Sequence, residues 1–189
     1  MKVLVVVDMQ NDFINGSLGT PEARAIVPNV VEKIRGVDMD TLVLLTKDVH
    51  GEDYLETLEG KMTPITHCIE GTPGCSIHKD ISHAADYDVR GMRYSGSGII
   101  KSRLVKSTFA SDKLRDILLR HKERIEEVEF VGVCTNICVI SNALMARQTL
   151  PNTPIKVDAN CCAGSDIFNH EAALGVMETC DIEILNWGA

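Results

Sequence analysis

The sequence predicts a three-layer α/β/α fold, in which a six-stranded, mainly parallel sheet lies between two layers of helices. Short runs rich in Val, Leu and Ile alternate along the chain with longer amphipathic segments of helical period. The apolar runs hardly alternate between apolar and polar residues, which is typical of strands that are covered on both faces. A chain that alternates strands and helices in this way forms parallel strands joined by crossover helices.

The apolar runs and the amphipathic segments give the predicted elements in order. Strands are predicted at residues 2–8, 41–46, 101–106, 127–133, 155–158 and 182–186. Helices are predicted at residues 22–35, 110–123, 136–149 and 169–180. Because ligands of parallel α/β sheets bind beyond the carboxyl ends of the strands, the residues at those ends are the first candidates for a functional site.

The region 48–105 interrupts this alternation. It is polar and irregular, with Gly-Thr-Pro-Gly at 71–74 and Ser-Gly-Ser-Gly at 95–98. Loop-rich stretches of this length inside a compact domain usually serve function. We therefore predict one domain over residues 1–189, with a loop-rich excursion at about 48–105.

Composition argues against several classes of function. A formal charge of −8, with scattered basic residues, disfavours a surface for nucleic acid or for an anionic membrane. No apolar run approaches the ~20 residues of a membrane span, and the first residues lack a signal-peptide cleavage site. Seven cysteines, an odd number without a disulfide framework, indicate free thiols in a reducing compartment. We expect a cytoplasmic protein that binds neither nucleic acid nor a membrane.

Cys138 is the leading candidate for a nucleophile. It follows a buried strand and falls on the first turn of a predicted helix, where free N–H groups and the helix dipole lower a thiol pKa. Asp8 ends another apolar strand, and it can face Cys138 if the two strands are neighbours. A nucleophile beside a proton carrier is the minimal unit of covalent hydrolysis. The alternative is an inert thiol, since free Cys commonly fills cores.

Asp48, His50 and His67 are candidate metal ligands. One carboxylate and two imidazoles suit Zn²⁺, Fe²⁺ or Mn²⁺, and the turn-rich loop around His67 can fold back toward the other two. From spacing alone, surface-loop histidines are an equal alternative. Lys106 can lower the pKa of Cys138 or fix the Asp8 carboxylate, unless it is a solvated lysine at a strand end. The candidates for a fourth ligand are Glu52, Asp53, Glu56 and Cys68.

Five segments, in order along essentially the full chain, resemble the isochorismatase-like cysteine hydrolases, the superfamily that contains the nicotinamidases. They are Val7-Asp8-Met-Gln-Asn-Asp-Phe13, Asp48-x-His50, His67-Cys-x-x-Gly71-Thr-x-Gly74, Lys106 with Phe109, and Gly132-Val-Cys-Thr-Asn-Ile-Cys138-Val. The resemblance implies a Rossmann-like three-layer fold and an assembly of two or four copies. It also implies a small-molecule amide as the substrate.

The resemblance further assigns roles to individual residues. It implies a catalytic triad of Asp8, Lys106 and Cys138 and a cis peptide bond between Val133 and Cys134. The backbone N–H groups of Cys134 and Cys138 then form an oxyanion hole. Asp48, His50 and His67 match ligands of the nicotinamidase metal, which is expected to be Zn²⁺ or else Fe²⁺ or Mn²⁺, and Phe13 matches an aromatic wall of the substrate pocket.

The expected reaction is amide hydrolysis through a thioester on Cys138, with nicotinamide as the first substrate to test. Two departures from the nicotinamidase pattern bear on this expectation. Residues 51–66 contain no further His, and Thr66 stands where a nicotinamidase usually has Trp. The alternatives are hydrolysis of another amide or ureide, vinyl-ether hydrolysis, a protein without turnover, and a redox-sensing Cys138 with Cys134 as the resolving thiol.

Overall fold

Six parallel strands form the centre of the structure, a computed structural model that describes residues 1–86 and 102–188. The strands are β1 (Lys2–Val7), β2 (Leu42–Asp48), β3 (Ser102–Lys106), β4 (Glu127–Val133), β5 (Ile155–Ala163) and β6 (Glu183–Leu185). They lie in the order β3-β2-β1-β4-β5-β6, and every pair of neighbours is parallel. The predicted six-stranded α/β sheet is confirmed, and it is parallel throughout the part of the chain that the structure describes.

Helices cover both faces of this sheet. They are α1 (Asn11–Ile14), α2 (Pro21–Ala25), α3 (Val27–Arg35), α4 (Leu58–Met62), α5 (Lys79–Asp86), α6 (Asp112–His121), α7 (Ile140–Thr149) and α8 (Ile167–Thr179). One apolar cluster joins the sheet to α6, α7 and α8, and a second joins it to α1, α2, α3 and α5. No helix in the described ranges is long and apolar enough to cross a membrane.

The side chains of β1 explain the unbroken apolar runs in the sequence. Val3, Val5 and Val7 belong to the cluster under α6–α8, whereas Leu4 and Val6 belong to the cluster on the opposite face. Successive side chains of a strand point to opposite faces, so a strand that is covered on both faces needs apolar residues at every position.

Several predicted boundaries are wrong for local reasons. The helix predicted at 22–35 is two helices, α2 and α3, that meet at Ile26, because Pro28 has no N–H to continue the hydrogen-bond ladder. The helix predicted at 136–149 begins with a wide π turn, Thr135–Val139, before α7. The strand predicted at 155–158 continues to Ala163.

The excursion predicted at 48–105 is less irregular than its composition indicates. It contains α4, α5 and a 3₁₀ turn at Tyr54–Glu56 in addition to its loops. Thr57 begins α4 by accepting a hydrogen bond from the N–H of Gly60, a side-chain cap that the sequence analysis did not use. The predicted Ser-Gly-Ser-Gly loop at 95–98 and residue 101 of the predicted third strand lie outside the described residues.

The strand order brings the candidate residues to one edge of the sheet. Asp8 follows β1, Asp48 and Lys106 end β2 and β3, and Cys138 lies in the turn after β4. Asp48 and Lys106 are register partners across β2 and β3. Because β1 pairs with both β2 and β4, Asp8 lies between these residues and Cys138.

Gly132 allows β1 and β4 to approach each other at this edge. Its φ angle is +120°, and a Cβ atom added to it would lie 2.1 Å from the carbonyl oxygen of Val7. A side chain at position 132 therefore meets both a backbone conformation that only glycine adopts readily and a backbone atom that cannot move aside.

We predict that Gly132→Ala lowers the free energy of unfolding by roughly 3 kcal/mol, from backbone strain together with overpacking. Urea titration followed by circular dichroism measures this loss. Gly71→Ala is the matched control, because Gly71 also has a positive φ angle, +80°, but has open space around its Cα. The control should lose only about 1 kcal/mol. Equal losses in the two variants would contradict the close approach at Gly132.

Candidate active site

A buried ion pair between Asp8 and Lys106 occupies the centre of the candidate site. Oδ2 of Asp8 lies 2.7 Å from Nζ of Lys106, and the two side chains are 0% and 2% exposed. Thr46 holds the other carboxylate oxygen, because its hydroxyl donates to Oδ1 of Asp8 over 2.7 Å. The same hydroxyl accepts the backbone N–H of Asp8 over 3.2 Å. The orientation of the carboxylate is therefore fixed on both sides.

Lys106 also contacts the candidate nucleophile and a candidate metal ligand. Its Nζ lies 3.5 Å from Sγ of Cys138 and 3.3 Å from Oδ1 of Asp48. Burial alone would lower the pKa of Lys106, but Asp8, Cys138 and Asp48 raise it above its ordinary value. Lys106 is therefore an ammonium that neutralises the anionic groups around it.

The thiol of Cys138 differs from the sequence-based expectation. Burial and the Asp8 charge raise its pKa well above the ordinary value, against the opposing effect of Lys106. The prediction of a lowered thiol pKa is therefore wrong, because burial and the charge of Asp8 outweigh the charge of Lys106. Burial also raises the pKa of Asp8, and Lys106 limits that rise. The resting site holds a neutral thiol beside a carboxylate that is paired with an ammonium.

Cys138 lies in a wide turn that its own backbone stabilises. The carbonyl oxygen of Cys134 accepts hydrogen bonds from the N–H groups of Ile137 at 3.1 Å and Val139 at 3.0 Å. The second bond spans five residues, as in a π turn, a geometry that is frequent at functional sites. The peptide bond between Val133 and Cys134 is cis, as the family resemblance implies.

Asn142 connects this turn to the segment that follows Lys106. Its Nδ2 donates to the carbonyl oxygens of Cys138 at 2.7 Å and Phe109 at 3.0 Å, and its Oδ1 accepts the N–H of Ser111 at 3.0 Å. Asn142 is fully buried on α7. This role could not be predicted from the sequence, because an Asn inside an amphipathic helix gives no sign of the segment that it contacts.

A cavity of about 680 Å³ opens in front of the turn. Cys134 and Cys138 lie on its wall, together with the metal-ligand candidates Asp48 and His67. The predicted wall residue Phe13 also lines the cavity, and its ring centre lies 5.5 Å from that of His67. The structure thus brings the predicted nucleophile, the predicted oxyanion-hole residues and part of the predicted metal site to one cavity.

The predicted metal ligands are close together and buried. Oδ2 of Asp48 lies 2.8 Å from Nε2 of His50 and 3.6 Å from Nε2 of His67. Burial would raise the pKa of Asp48, but its hydrogen bonds to the two imidazoles hold that pKa well below its ordinary value. Asp48 therefore offers an ionised oxygen to any cation beside it.

Glu59 is a fourth member of this group, and it was not among the ligands predicted from the sequence. One ligand atom from each of Asp48, His50, Glu59 and His67 falls within 4.8 Å of the others. Glu59 lies on α4, and its Oε1 is 3.8 Å from Nε2 of His50. The group contains none of the fourth ligands that were predicted from the sequence, which are Glu52, Asp53, Glu56 and Cys68. The Thr57 cap was the available signal, since it begins the short helix that carries Glu59.

Two imidazoles and two carboxylates fit a divalent transition-metal ion. Such a set provides four oxygen and nitrogen ligands, which suits Zn²⁺, Fe²⁺ or Mn²⁺. The ring of Tyr54 fixes the imidazoles, with centres 4.6 Å from His50 and 4.9 Å from His67. Nδ1 of His67 is hydrogen-bonded to the carbonyl oxygen of Ile65 at 2.7 Å, which leaves Nε2 for a metal.

Two side chains from the segment after β1 hold the metal-ligand loops in place. Gln10 accepts the N–H of Asp48 at 2.7 Å and donates to the carbonyl oxygens of Asp48 at 2.7 Å and Cys75 at 2.9 Å. Asp12 accepts a hydrogen bond at 2.8 Å from the N–H of Cys68, the residue that follows His67. Both residues lie in the first of the five family-like segments, but the sequence alone indicated no role for either of them.

The one tryptophan of the chain does not take the place of the tryptophan expected near His67. Trp187 donates to Oε2 of Glu171 on α8 over 2.7 Å and does not line the cavity. At the expected position, the carbonyl oxygen of Thr66 accepts the hydroxyl of Ser17 at 3.0 Å. Phe13 and Phe109 are the aromatic residues among those that line the cavity, so their rings are available to a flat substrate.

Comparison with known proteins gives consistent matches over the whole chain. A family model described as Isochorismatase domain matches residues 2–187. The chain is 27% identical to the nicotinamidase/pyrazinamidase of Mycobacterium tuberculosis, over 98% of each protein. It is 29% identical to the nicotinamidase of Schizosaccharomyces pombe, over 97% of this chain and 92% of that protein. The pyrazinamidase of Pyrococcus horikoshii, solved in complex with zinc, superimposes with a TM-score of 0.74 at 27% identity, over 98% of this chain and 99% of that one.

We predict that Asp8→Asn shifts the pH dependence of Cys138 alkylation to lower pH. The Asp8 charge raises the thiol pKa, and the variant removes that charge while it leaves Lys106 in place. More thiolate is then present at neutral pH, so iodoacetamide reacts faster with Cys138. Mass spectrometry of the Cys138 peptide measures the rate. Asp116→Asn, an exposed change on α6, should leave it unchanged, and an upward shift in Asp8→Asn would contradict the assigned charges.

Proposed function

The chain belongs to the isochorismatase family, and from this premise we propose that it is a cysteine amidohydrolase that cleaves a small amide through a thioester on Cys138. Nicotinamidases are among the relatives of the chain. They confirm the prediction of an amidohydrolase that acts on a non-peptide C–N bond, but not the thioester or the substrate. One observation carries the mechanism: a single buried ammonium, Lys106, contacts both the carboxylate of Asp8 and the thiol of Cys138.

The proposed reaction begins with proton transfer. The Asp8 carboxylate takes the proton of the neutral thiol while Sγ of Cys138 attacks the amide carbon, so no free thiolate is needed beforehand. The substrate oxygen becomes an oxyanion, and the backbone N–H groups of Cys134 and Cys138 donate to it. Lys106 remains charged throughout and offsets the negative charge that moves from the carboxylate to the substrate.

The second half of the reaction returns the proton. Asp8 gives it to the leaving nitrogen, the C–N bond breaks, and ammonia departs from a thioester on Cys138. Asp8 then removes a proton from a water molecule, which attacks the thioester carbon, and the proton returns to the departing sulfur. The products are ammonia and a carboxylic acid, and the site regains its neutral thiol.

We further propose that Asp48, His50, Glu59 and His67 hold a divalent ion, with Zn²⁺ the first choice and Fe²⁺ or Mn²⁺ as alternatives. When bound, such an ion supplies a Lewis acid that attracts a nitrogen or oxygen atom of the substrate. Asp48 and His67 line the same cavity as Cys138. The ion and the nucleophile would therefore contact one substrate from two sides.

Nicotinamide is the first substrate that we propose, because one relative named above is a nicotinamidase/pyrazinamidase, another is a nicotinamidase, and Phe13 supplies an aromatic wall. Another small amide or ureide is the second candidate. The cavity of about 680 Å³ has room for a larger molecule, and serine and threonine side chains line its wall at positions 17, 20, 63, 141 and 165. The expected cytoplasmic location and assembly of two or four copies stay proposals.

We predict that Cys138→Ala lowers the turnover of the cleaved amide by about 10³-fold or more, because no nucleophile remains to form the thioester. Ammonia release from nicotinamide and from a panel of primary amides and ureides measures it. Cys180→Ala, which changes a half-buried thiol at the end of α8, is the matched control and should retain full turnover. Turnover that survives in Cys138→Ala would overturn the thioester mechanism, and no turnover of any amide by the natural protein would overturn the proposed function.

We predict that Glu59→Ala weakens the affinity for Zn²⁺ by at least about 10-fold. Mutation of a residue that only contacts a metal ligand already costs this much, and a direct ligand should cost no less. Competition with a coloured chelator measures the affinity without any assay of turnover. Glu56→Ala is the control, because Glu56 is exposed on the neighbouring 3₁₀ turn and is not part of the ligand group. Equal affinities in the two variants would exclude Glu59 as a ligand.

A further inference from the structure

The turn that carries Cys138 is also held from the side of β5, by a histidine outside the proposed triad. Thr135 is fully buried, and its Oγ1 lies 2.8 Å from Nδ1 of His170 on α8. We propose that His170 is a positioning residue, which acts through Thr135 to fix the Cys134–Cys138 turn for the reaction. The inference rests on the proposed amidohydrolase function.

The contact between His170 and Thr135 depends on local packing that favours it. A Cβ atom added to Gly164 would lie 2.9 Å from both Cβ and N of His170, so a glycine is needed for α8 to approach this closely. Asp166 caps α8 by accepting the N–H of Asn169 at 2.8 Å, and the N–H of His170 donates to the carbonyl oxygen of Asp166 at 3.0 Å. His170 therefore lies in a fixed first turn of α8.

A second contact joins the same two segments. Asn136 accepts the N–H of Ser165 at 2.9 Å through Oδ1 and donates to Oγ of Ser165 at 3.1 Å through Nδ2. Consecutive residues of the turn are thus bonded to one segment of chain: Thr135 to the first turn of α8, and Asn136 to the loop that joins β5 to α8. Since β1 and β5 flank β4 on opposite sides, Asp8 and this segment hold the turn between them.

The position of Thr135 explains why this contact bears on the chemistry. Thr135 lies between Cys134 and Cys138, whose N–H groups are the proposed oxyanion donors, and a displacement of such donors by about 1 Å can cost as much as 10²-fold in rate. His170 is not among the described residues that line the cavity, so it acts through Thr135 and not on the substrate. Burial lowers the pKa of His170, which keeps the ring neutral and lets Nδ1 accept the threonine hydroxyl.

A double-mutant cycle tests this role. Thr135→Val and His170→Phe each remove one partner with little change of shape, and each should lower kcat about 10-fold with KM within about 2-fold, because the donors act mainly in the transition state. The double variant should be no slower than either single variant, since one interaction is lost in all three. His170→Asn, which keeps a polar atom near the position of Nδ1, should recover kcat to within about 3-fold of the natural protein.

Two further measurements separate positioning from stability. Thr149→Val removes a partly buried hydroxyl that bonds only within α7, at the carbonyl oxygen and sulfur of Met145, and it should leave kcat unchanged. If His170→Phe does not fold, Thr135→Ser replaces it in the test, because serine keeps the hydroxyl. Thr135→Ser should have a kcat within about 3-fold of that of the natural protein, whereas Thr135→Val should fall below that range. Losses that multiply in the double variant, or a His170→Asn variant as slow as His170→Phe, would overturn the proposal.

The rate of Cys138 alkylation by iodoacetamide provides a readout that does not depend on the substrate. If no amide is cleaved by the natural protein, the proposed function fails, but the same cycle can be measured on this rate. Thr135→Val and His170→Phe should each speed alkylation, because a turn that is no longer fixed exposes the buried thiol of Cys138 more often. The double variant should be no faster than either single variant. Alkylation rates that are equal in all variants and the natural protein would overturn the positioning role even where amide turnover is absent.

Discussion

The ion pair between Asp8 and Lys106 is the constraint on which the rest of the site depends. Neither side chain is appreciably exposed, and a buried charge that loses its partner costs about 3–5 kcal/mol. The pair also joins strands that are not neighbours, because β2 lies between β1 and β3. The side chain of Lys106 therefore extends past Asp48, the last residue of β2, to reach Asp8. It contacts the carboxylates of both residues.

This arrangement makes Asp48 a shared member of two groups. One oxygen of its carboxylate faces Lys106, and the other faces the imidazoles of His50 and His67. The proposed triad and the proposed metal site are thus electrostatically connected through a single side chain. A change of charge on either side alters the field that the other side experiences, because the intervening region is buried and poorly screened.

The sequence was sufficient for the layout of the site but not for its electrostatics. Unbroken apolar runs indicated buried parallel strands, and the ends of those strands correctly located Asp8, Asp48 and Cys138 on one edge. The pKa of Cys138 could not be predicted in the same way, because it depends on burial and on the charges of Asp8 and Lys106, which lie on other strands. Glu59 was missed for a similar reason, since a capped one-turn helix brings it to His50 across eight intervening residues.

The central position of β1 in the sheet has a consequence for the synthesis of the protein. β1 is the first strand to be made, yet one of its two neighbours is β4, more than a hundred residues later in the chain. A nascent chain can pair β1 with β2 early, but the other edge of β1 stays open until Glu127–Val133 has left the ribosome. The turn that carries Cys138 follows directly after that strand. The thiol of the proposed nucleophile is thus synthesised directly after the strand that closes the second edge of β1.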